Sequence, residues 1–284
     1  MRTGSFLRSL LAIALLPVTT VWSGEPPFRL VQGAMDAALV VSDSKSSLAW
    51  YEVLLQVAPS KPANTSDGGL MYRFQHNASF IKLVEHSLAP PKYAGLPDSA
   101  IGFRWLRIPL VAPPNEASRF TALGGKQRVE GPNANGEWTL IDPDGNRIYV
   151  SNGTDPGYDI EVGLVVQSMA NSARFYGEIL GLDQESSVGA ERVFWAGRSR
   201  LVLRQAASPE VPKRTGVRKE IAGIRFITFP IDDVGALAEI LKARGVQPVW
   251  GPAPPRPESL AILLFVEDPD GNWVEFYSVR TATR

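Results

Sequence analysis

Apolar residues in this chain fall in short runs, most of them bounded by glycine, proline, asparagine or aspartate. That punctuation predicts strands and turns, with few helices between them. Ala37–Val41 and Val162–Val166 are nearly unbroken apolar runs, as expected of strands buried on both faces. A helical pattern follows each. Ser42 or Asp43 can cap a helix over Ser46–Leu55, with Leu48, Tyr51 and Leu55 among its apolar positions. Ser168 or Asn171 can start a helix that runs to Leu180 and stops at Gly181. Leu70–Phe74 and Phe80–Val84 then read as strands after the first helix, and Val193–Trp195 and Leu201–Leu203 after the second. Further strands at Gly102–Ile108 and Ile224–Ile231 precede a short helix at Ala117–Leu123 and a longer one from Asp233 to Arg244. Asp232 is the expected cap of the longer one.

Two identical turns punctuate this plan. Asp142-Pro-Asp-Gly-Asn146 and Asp268-Pro-Asp-Gly-Asn272 each lie between apolar runs, so each predicts a hairpin. They stand about 125 residues apart, and other matches recur at nearly that offset. Ser47, Trp50 and Tyr51 correspond to Ser172, Phe175 and Tyr176. Trp105-Leu-Arg-Ile-Pro109 corresponds to Phe226-Ile-Thr-Phe-Pro230. The chain therefore reads as α+β in two tandem copies, 34–151 and 158–279. A polar linker at 152–157 joins them, a leader over 24–33 precedes them, and a tail over 280–284 follows.

Composition narrows the function classes. Among 284 residues, 44% are apolar and 20% charged, a globular mix. Basic and acidic residues balance at 29 each, which gives no basic surface for nucleic acid. Residues 1–23 read as a secretory signal: a basic start at Arg2 and Arg8, the apolar run Leu10–Val18, and small residues near Ser23 and Gly24. The alternative is an uncleaved anchor. Cleavage would place the protein in a periplasm or outside the cell, free of the membrane, as a monomer or homodimer. There are no cysteines, which excludes thiol catalysis, disulfides and thiolate metal ligands. The two histidines, His76 and His86, cannot form a three-histidine zinc site, and a surface role is expected of them.

Ser172-Ala-Arg-Phe-Tyr-Gly-Glu-Ile-Leu-Gly-Leu182, followed by Asp268-Pro-Asp-Gly-Asn and Glu275, resembles the vicinal oxygen chelate superfamily. That superfamily includes glyoxalase I, extradiol dioxygenases and bleomycin-resistance proteins. The resemblance implies four βαβββ modules, paired into two domains whose mixed sheets curl into cups. In metal-using members a cup holds a divalent ion on histidine, glutamine or glutamate from the opening and late strands. Carried onto this chain, those places in the second copy hold Glu161, Phe226, Val202 and Glu275. In the first copy they hold Asp36, Trp105, Lys82 and Tyr149.

The resemblance thus leaves Glu161 and Glu275 as candidate catalytic or metal-binding residues of one cup, and a first cup that looks metal-free. Two carboxylates without imidazole suit no metal at all, or a hard ion such as Mn²⁺ or Mg²⁺, better than iron or zinc. Trp105, Tyr149 and Phe226 are the candidate ligand-binding residues. Three functions remain open. One is an exported protein that binds a small, partly aromatic molecule in a cup without the usual metal. Another is a divalent-metal-dependent lyase or dioxygenase using Glu161 and Glu275. The third is a non-catalytic interaction scaffold.

Overall fold

The computed structural model describes residues 26–65, 68–86, 100–110, 118–120, 123, 129–152, 156–185, 189–208 and 222–280. The expected signal segment lies outside them, and of the short helix expected at Ala117–Leu123 the described residues, 118–120 and 123, are helical. Among the described residues no helix is long and apolar enough to cross a membrane.

The chain builds four modules of like plan. The first comprises β1 (Asp36–Val41), α1 (Ser44–Leu55), β2 (Ala63–Asn64), β3 (Leu70–His76) and β4 (Ser79–Glu85). The second has β5 (Gly102–Leu110), β6 (Val129–Glu130), β7 (Glu137–Ile141) and β8 (Arg147–Asn152). The third has β9 (Ile160–Val166), then α2, an α-helix over Met169–Ala173 that widens to a π-helix over Arg174–Ile179. It continues with β10 (Asp183–Gln184), β11 (Glu191–Ala196) and β12 (Ser199–Gln205). The fourth has β13 (Gly223–Pro230), α3 (Val234–Ala243), β14 (Trp250–Ala253), β15 (Ala261–Glu267) and β16 (Trp273–Val279).

Local chemistry sets the helix starts. Asp43 caps α1 by accepting from the Lys45 and Ser46 amides, and Ser168 caps α2 through the Asn171 amide. The cap of α3 is Asp233, not Asp232. Asp233 Oδ1 accepts the Ala236 amide at 3.0 Å, whereas Asp232 Oδ1 reaches only the neighbouring Asp233 amide.

The modules pair in an order that the two-copy reading did not give. One curled sheet, sheet I, runs β14-β15-β16-β13-β1-β4-β3-β2. Sheet II runs β10-β11-β12-β9-β5-β8-β7-β6. Sheet I thus joins the first module to the fourth through antiparallel β1 and β13, and sheet II joins the second to the third through β5 and β9. The segments 34–151 and 158–279 do not each close a sheet of their own. Each sheet takes half its strands from either side of the linker.

The main apolar core runs across both sheets and the helices, with Tyr51, Phe74, Phe120, Phe194, Phe229 and Phe276 among its largest members. Strand alternation divides each sheet into a core face and an open face. In β1, Ala37, Leu39 and Val41 enter the core, so Asp36 and Ala38 lie on the other side.

The repeated turns lock the two sheets together. Asp142 Oδ1 accepts the amides of Asp144 and Asn146, and Gly145 supplies the left-handed conformation at φ 88°. Asp142 Oδ2 then accepts the hydroxyl of Tyr51, which belongs to the helix over sheet I, at 3.0 Å. Asp268 repeats this arrangement from sheet I and accepts Tyr176, from α2 of the third module, at 3.0 Å. The tyrosine marks on the helices are therefore cross-sheet clasps as well as core residues, and Ser47 adds a hydroxyl bond to Asp144 at 3.3 Å.

The leader is also part of the fold. Phe28 packs on Phe229 and Phe276, at 5.7 and 5.4 Å between centroids. Leu30 bridges to Ile231, and Gly33 O accepts the Arg198 amide at 2.7 Å, so the leader touches a strand end of each sheet.

Candidate functional site

The open face of sheet I carries a buried polar floor built from four strands. Asp36 comes from β1, Lys82 from β4, Thr228 from β13 and Glu275 from β16. Register places Asp36 beside Thr228 and Thr228 beside Glu275. Lys82 reaches in from the far side of β1. Its Nζ lies 3.0 Å from Asp36 Oδ2, 2.9 Å from Thr228 Oγ1 and 3.5 Å from Glu275 Oε2. Thr228 donates its hydroxyl to Glu275 Oε2 at 2.5 Å. Asp36 also accepts the Gln32 side chain at 2.6 Å and the Phe80 amide at 2.9 Å.

Asp36 is 0%, Lys82 4% and Glu275 7% exposed, so water screens this cluster weakly. Burial alone would lower the Lys82 pKa. The charges of Asp36 and Glu275 outweigh burial and hold it above its ordinary value, so Lys82 is an ammonium rather than a free amine. It donates to Thr228 Oγ1 and Glu275 Oε2 and forms an ion pair with Asp36 Oδ2. Both bonds to Glu275 fall on Oε2, which leaves Oε1 as the acceptor for an incoming group.

Beside the floor stands an aromatic wall on the same face. Phe226 is two residues before Thr228 and pairs in register with Trp273. Phe265 pairs with Glu275. Phe226 and Phe265 meet edge to face at 5.7 Å, Trp273 lies 5.0 Å from Phe265, and Trp250 closes the row at 6.2 Å. These rings are partly exposed. Tyr277 lies near the floor, with Lys82 Nζ 5.4 Å from its ring centroid. A half-exposed aromatic row next to a buried charged floor can hold a flat apolar group and read one polar group at its end.

Sheet II is filled at the corresponding place. Trp105 is 5% exposed and lies flat against Gly163, where an added Cβ would come within 1.7 Å of the indole. Ile101, Val165 and Val202 pack around the indole, with Tyr149 against the cluster. Glu161 accepts the indole N–H at 3.3 Å and also bonds Arg107. Arg200 lies 3.4 Å from its other oxygen. Arg107 donates to Glu137 at 2.6 Å and lies over the Tyr149 ring. Burial pushes the Glu161 carboxyl upward, against the pull of Arg107 and Arg200.

The residues singled out from sequence therefore separate. Glu161, Trp105 and Tyr149 belong to sheet II, and Glu275 and Phe226 to sheet I. Glu161 and Glu275 do not share a cup, because β9 pairs with β5 while β16 pairs with β13. Asp36 and Lys82, assigned from sequence to a cup with Trp105 and Tyr149, instead face Glu275. Trp105 fills space within sheet II, since Gly163 leaves room for the indole. His76, expected at the surface, is partly buried, and burial lowers its pKa. Thr228, Phe265 and Trp273 were not anticipated. The alternation that placed Phe226 would have carried Thr228 to the same face.

The metal expected of the superfamily can be tested against this floor. The Lys82 ammonium already lies among the oxygens that β1, β13 and β16 bring together. At 4 Å, like unit charges repel by about 4 kcal/mol at an effective dielectric near 20, and a divalent ion doubles that. Among the described residues no three of histidine, cysteine, aspartate and glutamate come together to hold an ion. The floor does not fit a divalent metal while Lys82 stands in it. In sheet II, Glu161 is likewise taken by two guanidiniums and an indole.

Residues 160–276 match the family model of the Glyoxalase/Bleomycin resistance protein/Dioxygenase superfamily. Glyoxalase I from Zea mays is similar in structure, with a TM-score of 0.64 and 18% identity over 86% of this chain and 91% of that one. A putative dioxygenase from Bacillus subtilis aligns at a TM-score of 0.63 and 12% identity, over 87% of this chain and 84% of its own. At such identities the likeness establishes the fold. No curated protein matches this chain in sequence.

Proposed function

With residues 160–276 a domain of the Glyoxalase/Bleomycin resistance protein/Dioxygenase superfamily, we propose that this protein is an exported binder of a small aromatic molecule, seated on the open face of sheet I without a divalent ion. The observation that carries this reading is the half-exposed row Phe226, Phe265, Trp273 and Trp250 beside the buried Lys82–Glu275 floor. The floor holds two carboxylates against one ammonium, and Lys82 is held by Thr228, Glu275 and Asp36 of the protein itself. A ligand that donates an N–H or O–H to Glu275 Oε1 fits this charge balance; an anionic one does not. Sheet II serves the fold in this reading, because Trp105 fills its face.

Export is part of the proposal. Phe28 packs into the core against Phe229 and Phe276. Cleavage near Ser23 or Gly24 would leave that anchor intact.

Trp250 and Trp273 give the test its signal. Small aromatic amines and phenols are titrated into the mature protein while tryptophan fluorescence is followed. Saturable binding of about one equivalent is expected. It should weaken strongly in Phe226→Ala and Glu275→Gln and persist in Trp105→Phe. Saturable binding that Phe226→Ala leaves intact would move the site elsewhere, and no saturable change across such a set would end the proposal.

A further inference from the structure

We propose that Lys82 is a tethered replacement for the divalent ion of the fold, and that its ammonium keeps closed a cation site that its removal would open. The site is the set of oxygens around Nζ: Asp36 Oδ2, Thr228 Oγ1 and Glu275 Oε2, at 2.9 to 3.5 Å. They come from three strands, β13 and β16 of the fourth module and β1 of the first, and converge on one cation. That convergence is the observation a cluster of acidic residues would lack by itself: the oxygens have a bound cation, and it is the protein's own.

Chemistry explains how the exchange works. An ammonium offers three N–H donors to oxygens near 3 Å, so it can satisfy hard oxygen ligands without open coordination positions. It brings one positive charge against two carboxylates. A hard divalent ion would match their charge better, at shorter distances, and would complete its shell with water. Lys82 prevents this by proximity. A lysine tether also holds the cation beside these oxygens at a high effective concentration.

Sheet II supports the same conclusion independently. Glu161 lies near the start of β9 as Asp36 does in β1, and it too is neutralised from within, by Arg107 and Arg200. Both sheets have thus filled the carboxylate of their opening strand with a basic side chain, one with lysine and the other with arginine.

This inference concerns the floor alone and does not depend on an organic ligand, so its test uses none. Mn²⁺ is titrated into the mature wild-type protein, Lys82→Ala and Lys82→Ala/Glu275→Gln, and free Mn²⁺ is read by electron paramagnetic resonance. Wild type should leave the ion free. Lys82→Ala should bind about one equivalent at least tenfold more tightly, and the double variant should lose most of that gain. One equivalent of Mn²⁺ on wild type, removed by Glu275→Gln, would overturn the proposal, as would folded Lys82→Ala that binds no better than wild type. Should Lys82→Ala fail to fold, reductive methylation of native wild type decides. Lys82 should stay unmodified while exposed Lys45 and Lys61 react, and methylation of Lys82 at their rate would show that its ammonium is not held by the floor.

Discussion

Lys82 Nζ lies 3.0 Å from Asp36 Oδ2, and each side chain is almost wholly buried. Removing one partner leaves the other as a buried charge without compensation. Lys82→Met should therefore destabilise the protein by about 3–5 kcal/mol, the range for breaking buried pairs. Urea unfolding of the mature chain measures this. A loss below about 1 kcal/mol would mean that water reaches the floor and the pair is screened.

Tyr51→Phe and Tyr176→Phe remove the hydroxyls that tie each helix to the opposite turn at 3.0 Å. Each should cost about 1–3 kcal/mol, since the buried carboxylate keeps only its remaining donors. The two sites are equivalent in the repeat, so similar losses are expected. A large loss at one and none at the other, by urea unfolding, would show that only one turn clasps the sheets.

Burial raises Asp142 and Asp268 to about 6 each, above the ordinary 3.8. The folded state then binds these protons more tightly than the unfolded chain. Their contribution is fully present below about pH 4 and is lost as pH rises through about 6. Carbonyl shifts in a ¹³C titration should give midpoints near 6 for both. Midpoints near 3.8 would mean that the turn amides offset burial completely.

Gly163→Ala would drive a methyl into the Trp105 indole, only 1.7 Å away. Overpacking of this kind costs about 1–3 kcal/mol or more. Trp105→Ala should cost about 3–5 kcal/mol through the cavity it leaves. Combining the two should cost less than their sum, because the alanine methyl then meets open space. Strict additivity in thermal unfolding would contradict the filled-face description of sheet II.

For export, the chain is expressed in a bacterium with its own first residues, and the released protein is sequenced from its N-terminus. A start at Gly24 or Glu25 is expected. An intact Met1 on protein held in the membrane fraction would favour an uncleaved anchor over secretion.

Much of this molecule is local, and that part was legible in the order of its residues. Apolar runs, caps and Asp-Pro-Asp-Gly-Asn turns act over a few residues, so the repeated modules, the helix positions and the α+β class were readable. The pairing of modules was not. The opening strands β1, β5, β9 and β13 are all richly apolar and all need an antiparallel neighbour. Either pairing would satisfy their backbones, and the choice rests on long-range packing that no window contains. That choice set Glu161 and Glu275 in different sheets and brought Lys82 to Glu275, 193 residues away. Tertiary structure alone decided which charges meet, and with them whether the floor holds a metal or an ammonium.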